Sequence, residues 1–338
     1  AVLSMFIQAF YNVVDSFFVS MISEQALAAV TYIFPVQMLI ISVAVGTGVG
    51  INSLIARRLG AQRYEEADLA ASHGYRISFF NWMFFALIGI FLSGPMMHMM
   101  SDTPYIVENG EKYMFIITVG SLFSIIQITS EKILQSTGNM KIPMICSIAG
   151  AATNIILDPM FIFGVGPFPE MGVTGAAVAT IMGQFVSMCL GQYFFFAKEH
   201  AVNVRLRGWK VQGRILRDIY AVGAPAILMQ SITSVMQFGM NIILGNLTET
   251  AVAVMGVYGR LQSFIFMPVF GLNQGVLPVM GFNYGARNRK RLMEAYKKGV
   301  FTALVIMGIG LILFQTIPHQ LLAIFNSTGN QAMYDIGV

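Results

Sequence analysis

A short stretch of the chain places two polar side chains inside an apolar segment. Residues 154–164 read NIILDPMFIFG, with Asn154 and Asp158 four positions apart. Side chains four apart lie on the same face of an α-helix, so this amide and this carboxylate would project together. Their oxygens suit a small hard cation, and the carboxylate could instead accept a proton. The spacing therefore predicts a site for a small cation or a proton.

Pro159 follows the carboxylate and has two interpretations. Proline lacks an amide hydrogen, so the carbonyl of Ile155, one turn earlier, loses its usual helical donor. In a polar pocket that free carbonyl would be a further ligand. Many membrane helices carry proline only as a kink, which is at least as good an interpretation.

A second polar stripe lies near the N-terminus of the chain. Spacings of four, four and three positions put on one helix face Ser4, Gln8, Asn12 and Asp15, with Tyr11 at its border. Such a stripe must face protein or water, where interhelical hydrogen bonding alone would explain the amides. A carboxylate at the bilayer centre costs at least about 2.5 kcal/mol, so we interpret Asp15 as functional.

Three further charged residues fall within or beside apolar spans. Arg260 lies near the middle of its span, where it would pair with an acid or a substrate, or else snorkel or cap a helix end. Glu131 and Lys132 lie at the end of their span, and we expect a solvated pair there. The residues expected to line a substrate cavity are Gln8, Tyr11, Asn12 and Arg260.

Membrane helices must position these residues. Of the 338 residues 56% are hydrophobic and only 11% are charged, whereas soluble domains carry about 25% charged residues. The apolar blocks have the roughly 20 residues that a helix needs to cross a bilayer, and strand-like alternation is absent from the sequence. We predict an all-α polytopic membrane protein with spans near 1–21, 28–54, 75–98, 108–132, 141–164, 172–196, 219–245, 251–280 and 296–317.

Basic residues mark every second connection between the spans. They flank or fill the second, fourth, sixth and eighth connections, whereas the odd connections hold only Lys112. Lys and Arg mark the cytoplasmic side, so the even connections are predicted to be cytoplasmic and the protein to lie in the cell inner or plasma membrane. The basic residues of the cytoplasmic connections account for the net charge of +4, so no nucleic-acid partner is predicted.

The chain also contains an internal repeat. At an offset of 225 positions, matching residues include Glu24 and Glu249, Gln37 and Gln262, Gly46 and Gly271, Gly50 and Gly275, Gly60 and Gly285, and Gly74 and Gly299. Six spans separate the copies, so both have the same orientation and the repeat axis runs along the membrane normal. We predict two six-helix lobes: an N-lobe (1–198), a cytoplasmic linker (199–213) and a partial C-lobe (214–338). With about nine to ten helices present, we expect a fragment that lacks about three spans.

Several motifs together resemble the multidrug and toxic compound extrusion (MATE) family. They are YNVVDSFFVS followed by ALAAV, the glycine-rich second span, RRLGAQ, NIILDPMFIFG, GAAVAT and FMPVFGLNQGVLPVMGFNYGA. The resemblance implies twelve helices in two lobes and cation-coupled antiport of drugs. It also implies a cation site with an Asp on the first helix, an Asn and an Asp on the fifth and a Thr on the sixth. The matching positions are Asp15, Asn154, Asp158 and Thr180.

We therefore expect a monomeric exporter that exchanges Na⁺ or H⁺ for drugs or other lipophilic or cationic small molecules. No cofactor is expected beyond the coupling ion, and Asp15, Asn154 and Asp158 would hold Na⁺ if sodium is that ion. The offset pairs Asp15 with Met240, so the second half does not repeat this carboxylate.

The sequence is also compatible with other functions. The alternative within transport is a flippase for lipid-linked precursors from the same superfamily, which would need a strongly basic cavity, and Arg260 is the only buried basic residue expected. A ligand-triggered sensor would bind without flux. A membrane enzyme is not expected, because the sequence has neither a GxxxxGK[ST] phosphate loop nor an HExxH zinc motif.

Overall fold

A computed structural model describes residues 7, 14–15, 17–19, 21–166, 168–197, 202–204, 212–245 and 249–323. Every regular element within these ranges is a helix. The first helix, α1, is described at residues 14–15 and 17–19. The others are α2 (Glu24–Gly60), α3 (Tyr64–Met100), α4 (Pro104–Ser136), α5 (Lys141–Phe163), α6 (Val173–Ala197), α7 (Gly213–Gly245), α8 (Glu249–Gly285), α9 (Arg289–Thr316) and α10 (Pro318–Ala323).

The predicted spans from 28–54 onward correspond one to one with α2–α9, which confirms the all-α membrane fold. Several helices are longer than their spans because each continues through polar turns to a cap. Thus α2 begins where the Ser23 hydroxyl accepts the Ala26 N–H at 3.0 Å, and α9 begins where Asn288 Oδ1 accepts the Arg291 N–H. Within the described ranges, seven helical segments are long and apolar enough to cross a membrane. The span predicted at 1–21 lies mostly outside the described residues.

Helix α4 is the centre of the N-lobe and packs against α2, α3 and α6. Polar side chains join three of these helices within an otherwise apolar interior. The Tyr75 hydroxyl of α3 and Ser130 Oγ of α4 are 2.9 Å apart, and Gln192 Nε2 of α6 donates to Ser130 Oγ at 2.7 Å. Because lipid is as apolar as the side chains, such hydrogen bonds and close packing hold membrane helices together.

The lobes meet where α2 ends beside α8, and the contacts there are reciprocal. A Cβ at Gly60 would clash with the carbonyl oxygen of Phe282. A Cβ at Gly285 would clash with the carbonyl oxygen of Arg57. The repeat offset pairs Gly60 with Gly285 and Arg57 with Phe282, so each contact is the copy of the other. Contacts that are reciprocal in this way are those of a two-fold axis.

The axis itself passes between Ala56 and Gly281. These two residues are partners at the same offset, and a Cβ at Gly281 would lie 3.0 Å from that of Ala56. A residue contacts its own symmetry partner only beside the axis. The internal repeat is therefore present in the packing of α2 against α8, where small residues let the two backbones approach closely.

Polar contacts also cross from the N-lobe to α7 and to the segment before it. Arg58 pairs with Glu66 at 2.9 Å and with Asp218 of α7 at 3.2 Å. The Gln212 N–H donates to Nε2 of the buried His73 at 3.0 Å, which fastens the start of α7 to α3. Most of the linker predicted at 199–213 lies outside the described residues, so the boundaries of the two lobes stay a prediction.

Alanine at Gly60 tests the contact between the lobes. Its Cβ must push α2 away from α8, and we expect a loss of about 1–3 kcal/mol in stability, as for other overpacked interfaces. Gly275→Ala on α8 is the matched control, because a Cβ there meets nothing within 4 Å and alanine favours a helix. Thermal unfolding in detergent measures both variants. Equal melting temperatures would show that the lobes pack less closely than described.

Candidate functional site

Asn154 and Asp158 lie on one face of α5, and this face is turned into the N-lobe. Their side chains are almost inaccessible, with 2% and 0% of their surface exposed. Asn154 Nδ2 donates to Asp158 Oδ1 at 3.3 Å. The spacing of four residues thus places the amide and the carboxylate in direct contact within a buried environment.

Thr180 of α6 completes the wall opposite α5. It is 4% exposed, and its Oγ1 accepts a second hydrogen bond from Asn154 Nδ2 at 3.4 Å. The short distance between the helices depends on glycine: a Cβ at Gly183 would lie 2.7 Å from the carbonyl oxygen of Gly150. Small residues at this crossing let the backbones approach, so that short side chains reach across it.

Asp15 of α1 is the fourth member of the cluster. Its carboxyl group lies beside that of Asp158, close enough for the two to interact. Neighbouring residues of α1 pack on the same part of the lobe: Val19 is fully buried, and the rings of Phe18 and Phe163 meet edge to face with centroids 6.3 Å apart. The structure therefore brings together all four residues of the predicted ion site, from three different helices.

Three oxygens of this cluster are buried without a hydrogen-bond donor. They are Asp15 Oδ1, Asn154 Oδ1 and Asp158 Oδ2. A buried acceptor without a partner costs free energy, and a carboxylate more than an amide. A small cation would satisfy all three, since hard cations prefer oxygen ligands, whereas nitrogen and sulfur ligands suit transition metals. A proton on either carboxyl group would instead supply a donor.

The residues predicted to line a cavity remain predictions. Gln8, Tyr11 and Asn12 lie outside the described residues. Arg260 belongs to α8, but only its backbone is described.

The expectation of a solvated pair at Glu131 and Lys132 is wrong. Lys132 is 4% exposed, and its Nζ donates to Gln135 Oε1 at 3.1 Å and to Gln274 Oε1 of the other lobe at 3.0 Å. Glu131 is half-buried and turned towards α5. Lys132 is buried because α4 continues past it to Ser136 and other helices pack against α4. The interior therefore contains a basic residue besides the predicted Arg260.

The chain was compared with known protein families, sequences and structures. The family described as MatE has a model that matches residues 1–160 and 225–335. The FAD transporter of Shewanella oneidensis MR-1 is 26% identical over 316 residues, which are 93% of this chain and 68% of that protein. The multidrug export protein MepA of Staphylococcus aureus N315 is 26% identical over 334 residues, 96% of this chain and 71% of that protein.

Solved structures show the same architecture. One described as the outward-facing conformation of a multidrug resistance MATE family transporter has a TM-score of 0.91 and 29% identity, over 99% of this chain and 74% of that one. A two-lobed fold therefore accommodates nearly the whole chain, which agrees with the reciprocal contacts between α2 and α8.

Alanine at Gly183 tests how α5 and α6 form the cluster. The new Cβ would force the helices apart and lengthen the contact between Asn154 and Thr180, so we expect about 1–3 kcal/mol of destabilisation. Gly191→Ala on the same helix is the control, because its Cβ would only touch Cys146 Sγ at 3.9 Å. Thermal unfolding of both variants decides the matter, and a Gly183→Ala protein as stable as the control would contradict the geometry.

Proposed function

We propose that the N-lobe cluster of Asp15, Asn154, Asp158 and Thr180 couples the export of small molecules to the inward movement of Na⁺ or H⁺. The premise is that this chain belongs to the MatE family of multidrug and toxic compound extrusion transporters. The protein is a multi-pass membrane transporter, and exchange by alternating access is the finer part of the proposal. The observation that carries it is the set of three buried oxygens without donors on Asp15, Asn154 and Asp158.

The cluster is suited to couple ion binding to a change of shape. Asp15 belongs to α1, whereas Asp158 and Thr180 belong to the tightly packed pair α5 and α6. Without a cation the two carboxylates repel each other, which favours an arrangement with α1 further from α5. A bound cation or proton removes the repulsion and draws α1 towards α5, so that the space beside α1 becomes smaller.

Coupling then requires that ion and substrate prefer different states. A ligand can shift the equilibrium between two conformational states only by the difference in its affinity for them. The lobes are in contact beside the basic connections that follow α2 and α8, the ends predicted to be cytoplasmic. The arrangement described would therefore be closed to the cytoplasm and receive the coupling ion from outside.

The substrates proposed are lipophilic or cationic small molecules, in keeping with the acidic groups of the N-lobe. The relatives are named for different substrates: one is a multidrug export protein and another is an FAD transporter. We therefore propose a class of substrate broader than organic cations alone, and an ethidium assay probes the cationic part of it.

Removing one carboxylate tests the ion site. In cells that produce the protein, we expect Asp158→Asn to raise ethidium retention to the level of cells without it, because the neutral amide has no charge for a cation or a proton to neutralise. The matched control is Asp102→Asn, at an exposed position between α3 and α4, which should export normally. Both variants are first checked for equal amounts in the membrane. Normal efflux by Asp158→Asn would mean that the ion site is wrongly assigned.

A threonine substitution separates Na⁺ from H⁺. Thr180→Val keeps the shape of the side chain but removes an oxygen ligand. If Na⁺ is the coupling ion, the variant should need about 10-fold more Na⁺ for half-maximal efflux, the loss of about 1.4 kcal/mol of ion binding. If H⁺ is the coupling ion, efflux driven by a pH gradient should stay close to that of the wild type, since a proton needs only the carboxylates.

A further inference from the structure

Glu131 is a third carboxyl group in the interior of the N-lobe, half-buried and five residues before α4 ends at Ser136. Its Oε1 accepts hydrogen bonds from Gln127 Nε2 at 3.1 Å and from Ser147 Oγ of α5 at 3.0 Å. An ionisable side chain inside a membrane lobe is a functional candidate by default. The hydrogen bond from Ser147 joins Glu131 to α5, the helix that carries Asn154 and Asp158 of the cluster.

The polar residues of α5 and α4 form two stripes that run from Glu131 towards the cluster. On α5, Ser147, Asn154 and Asp158 are seven and four positions apart, on one face. On α4, Ser124 and Gln127 precede Glu131 by seven and four positions, also on one face.

The two stripes meet at one hydrogen bond, from Ser147 Oγ to Glu131 Oε1, and α6 packs against both helices. The helices are consecutive and antiparallel, and they are joined at Glu131 and Ser147. Seven residues on from that contact, about 10 Å along each axis, Ser124 of α4 lies level with Asn154 of α5. The polar face of α5 therefore runs from the ion cluster to the residue that contacts Glu131.

Helix α6 places a further buried polar group, that of Gln184, at the level of Ser124. Gln184, one turn from Thr180, has a buried Oε1 without a hydrogen-bond donor. The ring of Phe185 meets that of Phe123 with centroids 5.1 Å apart, which places Gln184 at the level of Ser124. A water molecule or a passing cation would satisfy this oxygen, as it would that of Asn154.

We infer that Glu131 is the residue through which the coupling cation leaves the Asp15–Asp158 cluster towards the side predicted to be cytoplasmic. The inference rests on the proposed function and adds a third carboxyl group to it. On α5, Gly150 and Ala151 lie between Asn154 and Ser147, and Gly150 is packed on Gly183. The route is narrow at this point in the closed arrangement, so that ion release awaits a movement of α5 against α6.

A simpler role for Glu131 is to balance the buried charge of Lys132. The two residues are adjacent, yet the ammonium group binds Gln135 and Gln274 while the carboxyl group binds Gln127 and Ser147. If balance is the only role, removing both charges together should restore what removing one destroys. If Glu131 conducts the cation, the double variant stays impaired.

The experiment uses the protein in proteoliposomes, with ethidium transport measured while pH and Na⁺ are varied separately on each side. For Glu131→Gln we expect unchanged ethidium binding but a turnover about 100-fold lower, the lower end of what a positioned proton-transfer group contributes. The dependence on the cytoplasmic-side cation should also disappear. Glu108→Gln, at an exposed position of the same helix paired with Lys112, is the control and should transport normally.

The outcomes distinguish the inference from the function on which it rests. Wild-type turnover and cation dependence in Glu131→Gln, or recovery in Glu131→Gln combined with Lys132→Met, would overturn the role of Glu131. Normal coupled transport by Asp158→Asn would overturn the proposed function instead. The side chain that binds the ion is thereby tested separately from the one that releases it.

Discussion

The N-lobe depends on the need to compensate a carboxylate that is buried in a membrane protein. Asp158 is fully inaccessible, and the carboxyl group of Asp15 lies against it. Asn154 donates to one oxygen of Asp158 and leaves the other without a donor. Both desolvation and like-charge repulsion oppose this arrangement. In the function proposed for the cluster, a cation or a proton would relieve both, and ion binding would then be coupled to the packing of α1 on α5.

Close approach of helix backbones decides where these groups can meet. At the crossing of α5 and α6, Gly150 and Gly183 leave no room for a Cβ, and this brings Asn154 within reach of Thr180. Close packing at glycine also joins the lobes, where Gly60 and Gly285 make reciprocal contacts. In lipid, where burial of apolar side chains gives little driving force between helices, such contacts are a main source of specificity.

Glu131 and Lys132 show how neighbouring residues of one helix serve different parts of the molecule. Successive side chains of an α-helix point about 100° apart, so adjacent residues face different neighbours. The carboxylate of Glu131 bonds within the N-lobe, whereas the ammonium group of Lys132 reaches Gln274 in the C-lobe. A position near the end of an apolar span was therefore a poor guide to exposure, because α4 is covered on several sides.

The sequence by itself determined the helical membrane fold, the order of the spans from 28–54 onward and the parallel repeat. Hydropathy and periodicity are local properties, and a polar residue in an apolar helix is visible without any coordinates. The same local spacing placed Asn154 and Asp158 on one face. Tertiary structure alone decided that Asp15 lies against Asp158, that Lys132 is buried between the lobes and which oxygens lack donors. These facts depend on the distances between helices, and small residues at crossings set those distances through contacts far apart in the chain.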